Sequence, residues 1–104
     1  MIIAFNNAYL QKIYEGKQVA GKPKYSQDVI LKFKKTVLML MNTESIKELR
    51  KFRGLNFEAL KGEFKGYFSV RVDLQYRLIL SIKKNSVVVV TDILIIEDLT
   101  KHYQ

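Results

Sequence analysis

Cysteine is absent from this 104-residue chain, which excludes a disulfide framework, a thiolate zinc site and a thiol nucleophile. Histidine occurs once, as His102, so every site built on two imidazoles is excluded as well. Proline also occurs once, in the loop-forming stretch Gly21-Lys22-Pro23. The longest apolar run, residues 87–96, is broken by Thr91 and Asp92 and is too short to cross a bilayer. Met1-Ile2-Ile3-Ala4-Phe5 is too short for the core of a signal peptide and has no basic lead-in. The expectation is a soluble cytoplasmic protein with no membrane partner. Apolar residues make up 48% of the chain, enough for a real core and too many for wholesale disorder. The length corresponds to one domain, residues 1–104.

Charge is the most lopsided feature. Eighteen Lys and Arg face ten Asp and Glu, a net +8 on 12.2 kDa. Such a surface favours polyanions: nucleic acid, the ribosome, acidic lipid or an acidic protein. The excess is not evenly spread. Residues 1–24 hold four Lys and one Glu, for +3. Residues 25–54 hold seven basic and three acidic groups, for +4, and residues 55–104 hold seven and six, for +1.

Periodicity divides the chain at about Gly54. Ile2, Ile3 and Phe5 read as a short strand. Asn6 or Asn7 can cap a helix through about Glu15, with Tyr9, Leu10, Ile13 and Tyr14 on one stripe and Gly16 as its stop. Ser26 can cap a second helix in which Ile30, Phe33, Val37 and Leu40 recur at steps of three and four. Asp28 lies in its first turn, where the helix dipole favours a negative charge. Ser45-Ile46-Lys47-Glu48 matches a capping box for a short third helix ending near Gly54.

Beyond Gly54 the pattern alternates. Residues 57–61 read as extended. Phe68, Val70 and Val72 share one face against Tyr67, Ser69 and Arg71. Asp73-Leu74-Gln75 closes a hairpin into residues 76–82, where Tyr76, Leu78, Leu80 and Ile82 oppose Arg77, Ile79 and Ser81. Residues 83–86 form a second turn before a strand over 87–96. Helices followed by a meander predict an α+β domain with N-terminal helices packed on one sheet face.

The residue inventory limits the chemistry. Metal-dependent phosphodiester cleavage needs clustered carboxylates, and here Asp28, Glu58, Glu63, Asp73 and Asp92 are scattered. Glu97 and Asp98 are adjacent, and neighbours on a regular strand point to opposite faces. There is no phosphate-cradling glycine loop, since Gly62 and Gly66 flank a turn, and no nucleophile motif surrounds any serine. Metal-free chemistry at a cationic site remains. RNA allows it, because the 2′-OH is a built-in nucleophile that has only to be oriented and deprotonated while the phosphorane charge is stabilised. Lys61, Arg71, Arg77, Lys101, His102 and Tyr103 are the groups on offer. Taken by composition alone, they are equally the cations of a solvated sheet face and an inert terminal histidine.

Order and spacing add a family resemblance. Leu60-Lys61-Gly62, then Gly66-Tyr67-Phe68-Ser69-Val70-Arg71-Val72, then Gln75-Tyr76-Arg77-Leu78, and a C-terminal histidine at His102 follow one another. This series resembles the HigB-like branch of the RelE/ParE toxin superfamily, over essentially the whole chain. The resemblance implies a RelE-like fold with a mainly antiparallel four- to five-stranded sheet. It also implies the toxin half of a type II toxin–antitoxin pair, cleaving mRNA on the ribosome without metal or other cofactor. By position it assigns Lys61, Arg71 and Arg77 to the active surface and His102 to proton transfer, with Tyr103 beside it. Many HigB proteins carry another histidine shortly before the L-K-G turn. This chain has Glu58 there, a candidate base.

The resemblance thus implies that Arg71 and Arg77 clamp the scissile phosphate with Lys61 close by. An imidazole, titrating ordinarily near about pH 6.5, exchanges the proton. Lys61, Tyr67, Arg71, Arg77 and Lys101 would hold RNA, with Tyr67 or Tyr103 stacking on a base. The basic helical half would contact ribosomal RNA. The implied protein partner is a HigA-like helix-turn-helix antitoxin of acidic character. Two alternatives share the fold and charge: a ParE-like DNA gyrase inhibitor, and a non-catalytic RNA- or ribosome-binding module.

Overall fold

A computed structural model of the chain describes residues 1–84 and 92–102. The elements are β1 (Ile2–Phe5), α1 (Ala8–Tyr14), α2 (Gln27–Met41), α3 (Ile46–Leu49), β2 (Glu58–Ala59), β3 (Phe68–Arg71), β4 (Arg77–Lys84) and β5 (Asp92–Thr100). The strands form one sheet in the order β1-β5-β4-β3-β2. β1 joins β5 in parallel and the other pairings are antiparallel. This is the α+β arrangement expected from the sequence, with the first strand inserted beside the last.

The helix starts follow from capping chemistry. The Asn7 side chain accepts from the Leu10 N–H at 3.1 Å, Ser26 Oγ from Val29 N–H at 3.2 Å and Ser45 Oγ from Glu48 N–H at 3.2 Å. Past α1, Gly16 takes a φ of 76°, a left-handed position that stops the helix. The third helix is shorter than expected, ending at Leu49, and Gly54 lies within a separate 3₁₀ turn at Arg53–Leu55 instead of stopping the helix. The extended stretch expected over 57–61 shrinks to Glu58–Ala59, because a 3₁₀ turn at Gly62–Phe64 follows at once. Of the strand expected over 87–96, residues 87–91 lie outside the described residues; the described part starts at Asp92 and continues to Thr100.

The helices and one sheet face share a core. Leu10, Phe33, Val37, Leu40 and Leu49 meet Val70, Leu78, Leu80, Leu94, Ile96 and Leu99. The Asp73 hairpin is closed by its own carboxylate, which accepts from Gln75 N–H at 2.8 Å and Tyr76 N–H at 2.7 Å. Ile79 pairs with Asp98 and Leu80 with Ile96, so Glu97 is the extra residue of a β-bulge. The bulge shifts the alternation by one and lets Leu94, Ile96 and Leu99 all reach the core. It also corrects one expectation. Glu97 accepts from Ser81 Oγ at 2.6 Å while Asp98 sits opposite Ile79, so both acids serve the face away from the helices. Among the described residues, no helix is long and apolar enough to cross a membrane.

Candidate active site on the helix-free sheet face

The face of the sheet turned away from the helices carries the charged residues. In the β3–β4 pairing Arg71 lies directly opposite Arg77, and Ser69 opposite Ile79. On the outer edge Glu58 lies opposite Ser69, and on the inner side Thr100 lies opposite Arg77. Directly paired residues project to the same side of a sheet, so Glu58, Ser69, Arg71, Arg77 and Thr100 share one face. Arg71 is exposed at the rim of this row.

Arg77 departs from the expectation of a solvated guanidinium. It is only 3% exposed. Its Nε donates to Ser69 Oγ at 2.8 Å, and its Nη2 donates to the carbonyl oxygens of Asn56 and of Ser69, the latter at 3.3 Å. The same Nη2 lies 3.6 Å from Glu58 Oε1, whose side chain is about half exposed at 47%. The physical reason lies in two residues distant in sequence. Asn56 takes the left-handed conformation, with a φ of 45°, and presents its carbonyl to the guanidinium. Ser69, fully buried on the strand below, supplies a hydroxyl and a second carbonyl. A buried arginine needs such partners, and the half-exposed Glu58 carboxylate lies within ion-pair distance of it.

The other residues singled out in the sequence divide between this face and its margins. Lys61 is exposed at the start of the Gly62–Phe64 turn, one residue after Leu60, whose N–H donates to Tyr67 O at 2.9 Å. Tyr67, whose backbone is thereby tied next to Lys61, is 37% exposed. His102 is exposed two residues past the Thr100–Arg77–Arg71 row, with its N–H donating to Thr100 Oγ1 at 2.9 Å. Lys101 goes elsewhere: its Nζ lies 5.9 Å from the centroid of the Tyr76 ring, which packs toward the helices. Tyr103 lies outside the described residues.

Two participants were missed in the sequence. Ser69 reads there as an ordinary outward strand residue, and Asn56 as a loop position. The available signal was an asparagine just ahead of a short strand, since asparagine tolerates left-handed backbone. Among the described residues, no group of three or more His, Asp or Glu is placed to hold a metal ion.

A family model described as the RelE-like toxin of type II toxin–antitoxin system HigB matches residues 3–93. No curated protein matches the chain. Among solved structures, the chain resembles the YoeB/ParE toxin from Agrobacterium tumefaciens, with a TM-score of 0.55 and 16% identity over 99% of this chain and 100% of that one. It resembles YafQ from E. coli strain BL21(DE3) with a TM-score of 0.55 and 17% identity over 94% and 89% of the two chains. A third likeness is to the YoeB–YefM complex from Staphylococcus aureus, with a TM-score of 0.53 and 21% identity over 99% and 98%. The structural likenesses establish a shared fold, and the family model, spanning most of the sequence, establishes kinship: this chain belongs to the HigB-like, RelE-like toxins of type II toxin–antitoxin systems.

Proposed function

We propose that this toxin is a single-domain, ribosome-dependent mRNA endoribonuclease acting through the helix-free sheet face. The observation that carries the reading is the Glu58 carboxylate, held 3.6 Å from buried Arg77 on the face that also carries Arg71. A carboxylate base on the same face as an exposed cation is what phosphodiester transfer to a neighbouring hydroxyl requires.

In this mechanism Glu58 takes the proton of the 2′-OH, and the freed oxygen attacks the adjacent phosphorus. Arg71 and Lys61 neutralise the negative charge that builds on the phosphorane oxygens. The P–O5′ bond breaks as His102, in its imidazolium form, gives a proton to the leaving oxygen. The products are a 2′,3′-cyclic phosphate, open to hydrolysis to a 3′-phosphate, and a 5′-hydroxyl. Arg77 acts from beneath, orienting Glu58 and contributing positive potential. Tyr67 stacks on a base near the cut, with Tyr103 as a second ring for the same purpose. Lys101, over the Tyr76 ring on the helical side, takes no part in this RNA path.

The protein partner is a HigA-like helix-turn-helix antitoxin, and the working compartment is the cytoplasm, where translating ribosomes are. The decisive test is induced expression followed by mapping of mRNA 5′ ends, for the wild type and for Glu58→Gln and His102→Ala. New 5′-hydroxyl ends are expected only with the wild type. Undiminished cleavage by both variants overturns the assignment, and a DNA-damage response with intact mRNA transfers the protein to the gyrase-inhibitor class.

A further inference from the structure

We infer that Tyr25 is a positioning residue for His102, holding the exit of β5 from the helical side of the molecule. The inference rests on the cleavage role proposed for His102. Tyr25 lies in the loop just before α2, 74 residues away in sequence from the strand it reaches. Its hydroxyl donates to the carbonyl oxygen of Leu99 at 2.7 Å. That carbonyl lies three residues ahead of His102, at the penultimate residue of β5 before the chain leaves the sheet.

The grip has three parts. The Tyr25 ring is wedged between two other tyrosines, its centroid 5.7 Å from Tyr76 with the planes 75° apart and 6.2 Å from Tyr9. Edge-to-face packing of this kind fixes the direction of the hydroxyl. Lys101 Nζ lies over the Tyr76 ring, so the residue between Thr100 and His102 is drawn to the helical side. Thr100 Oγ1 then accepts the His102 N–H. With Leu99 in the core, strand alternation leaves Thr100 on the side of Arg77, and the bond to the Thr100 hydroxyl ties the His102 backbone to that residue. Burial, assisted by the negative charge of Asp98 and by the neighbouring phenols Tyr76 and Tyr9, raises the Tyr25 pKa to about 12. The phenol therefore stays protonated, and remains a donor, at any pH where the toxin works.

Nothing in the cleavage chemistry itself uses Tyr25, and a tyrosine in a helical loop has no sequence signal linking it to the last strand. Its removal therefore separates positioning from chemistry. The test is Tyr25→Phe, which keeps the ring contacts and deletes only the bond to Leu99. With programmed ribosomes as substrate, kcat is expected to fall about five- to tenfold with KM unchanged, the cost of one lost oriented hydrogen bond. The resonances of the sole imidazole should shift in the free protein while circular dichroism stays that of the wild type. In a His102→Ala background the same substitution should add no further loss, because the two act as a unit. Additive losses, or imidazole resonances identical to the wild type, would overturn the inference. Should His102→Ala cleave normally, the proposed cleavage role fails on its own, while the resonances still decide whether Tyr25 holds the strand exit.

Discussion

Replacing Arg77 by methionine should unfold the toxin more readily than it disarms it. Methionine retains much of the aliphatic stem but none of the donors. The guanidinium is 3% exposed, donates to Ser69 Oγ and to the carbonyl oxygens of Ser69 and Asn56, and stands 3.6 Å from Glu58. Its loss leaves a buried hydroxyl and a left-handed carbonyl without their donor, and it frees Glu58. Removing one partner from such a buried charged network costs about 3–5 kcal/mol, a large part of the stability of a small domain. At about 4–8 °C per kcal/mol for a chain of this size, the thermal midpoint should fall by at least about 12 °C. Urea titration followed by circular dichroism measures the loss directly. The same substitution in a Ser69→Ala background should cost less than in the wild type, with a coupling of about 1–3 kcal/mol between the two sites. A stability within about 0.5 kcal/mol of the wild type, accompanied by a selective loss of cleavage, would refute the reasoning and make Arg77 a substrate contact.

Arg71→Ala provides the contrast. Exposed at the rim, it should leave stability within about 0.5 kcal/mol of the wild type while cleavage falls about a hundredfold, as for other charge-stabilising groups. Tyr25 sets an alkaline limit. Its folded pKa of about 12 exceeds the ordinary value of 10.0, so its contribution to stability is complete below about pH 10. That contribution is lost as pH rises from there through about 12, because the unfolded chain releases the proton first. Urea midpoints across this window should fall more steeply for the wild type than for Tyr25→Phe. Asp73→Ala removes two hydrogen bonds from the hairpin, at 2.8 and 2.7 Å, and should destabilise by about 1–2 kcal/mol; the exposed Leu74 at the tip should tolerate Gly or Ser. Exposed Lys35 and Lys47 lie in the basic segment 25–54. Changing each to Gln should lessen the salt dependence of ribosome binding by about 0.7–0.9 per lysine in log–log slope, with cleavage of bound mRNA retained.

Much of the fold is legible in the sequence because it is set by local chemistry. Asn7, Ser26 and Ser45 are caps by their own side chains, and Asp73 closes its turn within four residues. The strand faces around Val70 and Leu78 follow from a period of two. What fails is whatever depends on a distant partner. Arg77 looks like a solvated strand residue until Asn56, 21 positions away, turns its carbonyl inward. Glu97 and Asp98 look like a pair split between faces until the pairing with β4 forces a bulge, because Ile96 and Leu99 both have core positions to fill. Tyr25 carries no hint of Leu99 at all. The L-K-G and S-V-R-V motifs mark one stretch of the chain. They could not say which of its cations reach solvent, since exposure is a property of the assembled sheet.

The near-neutral charge of residues 55–104 acquires a physical explanation from these contacts. Six acidic groups almost cancel seven basic ones there, and three of the six have structural work within the sheet. Glu58 stands against the buried guanidinium, Asp73 closes the β3–β4 hairpin, and Glu97 anchors the bulge through Ser81 Oγ at 2.6 Å and Asn6 Nδ2 at 2.9 Å. Those carboxylates therefore shape the surface, whereas the surplus on the helices has few partners, with Lys32–Asp28 at 3.1 Å and Lys17–Glu15 at 3.2 Å both exposed and weak. A polyanion approaching the molecule is drawn mainly by the helical half and its +7. On the sheet face away from the helices the exposed cations are fewer: Arg71 at the end of β3 and Lys61 at the turn after β2, set among acids whose contacts are internal to the fold.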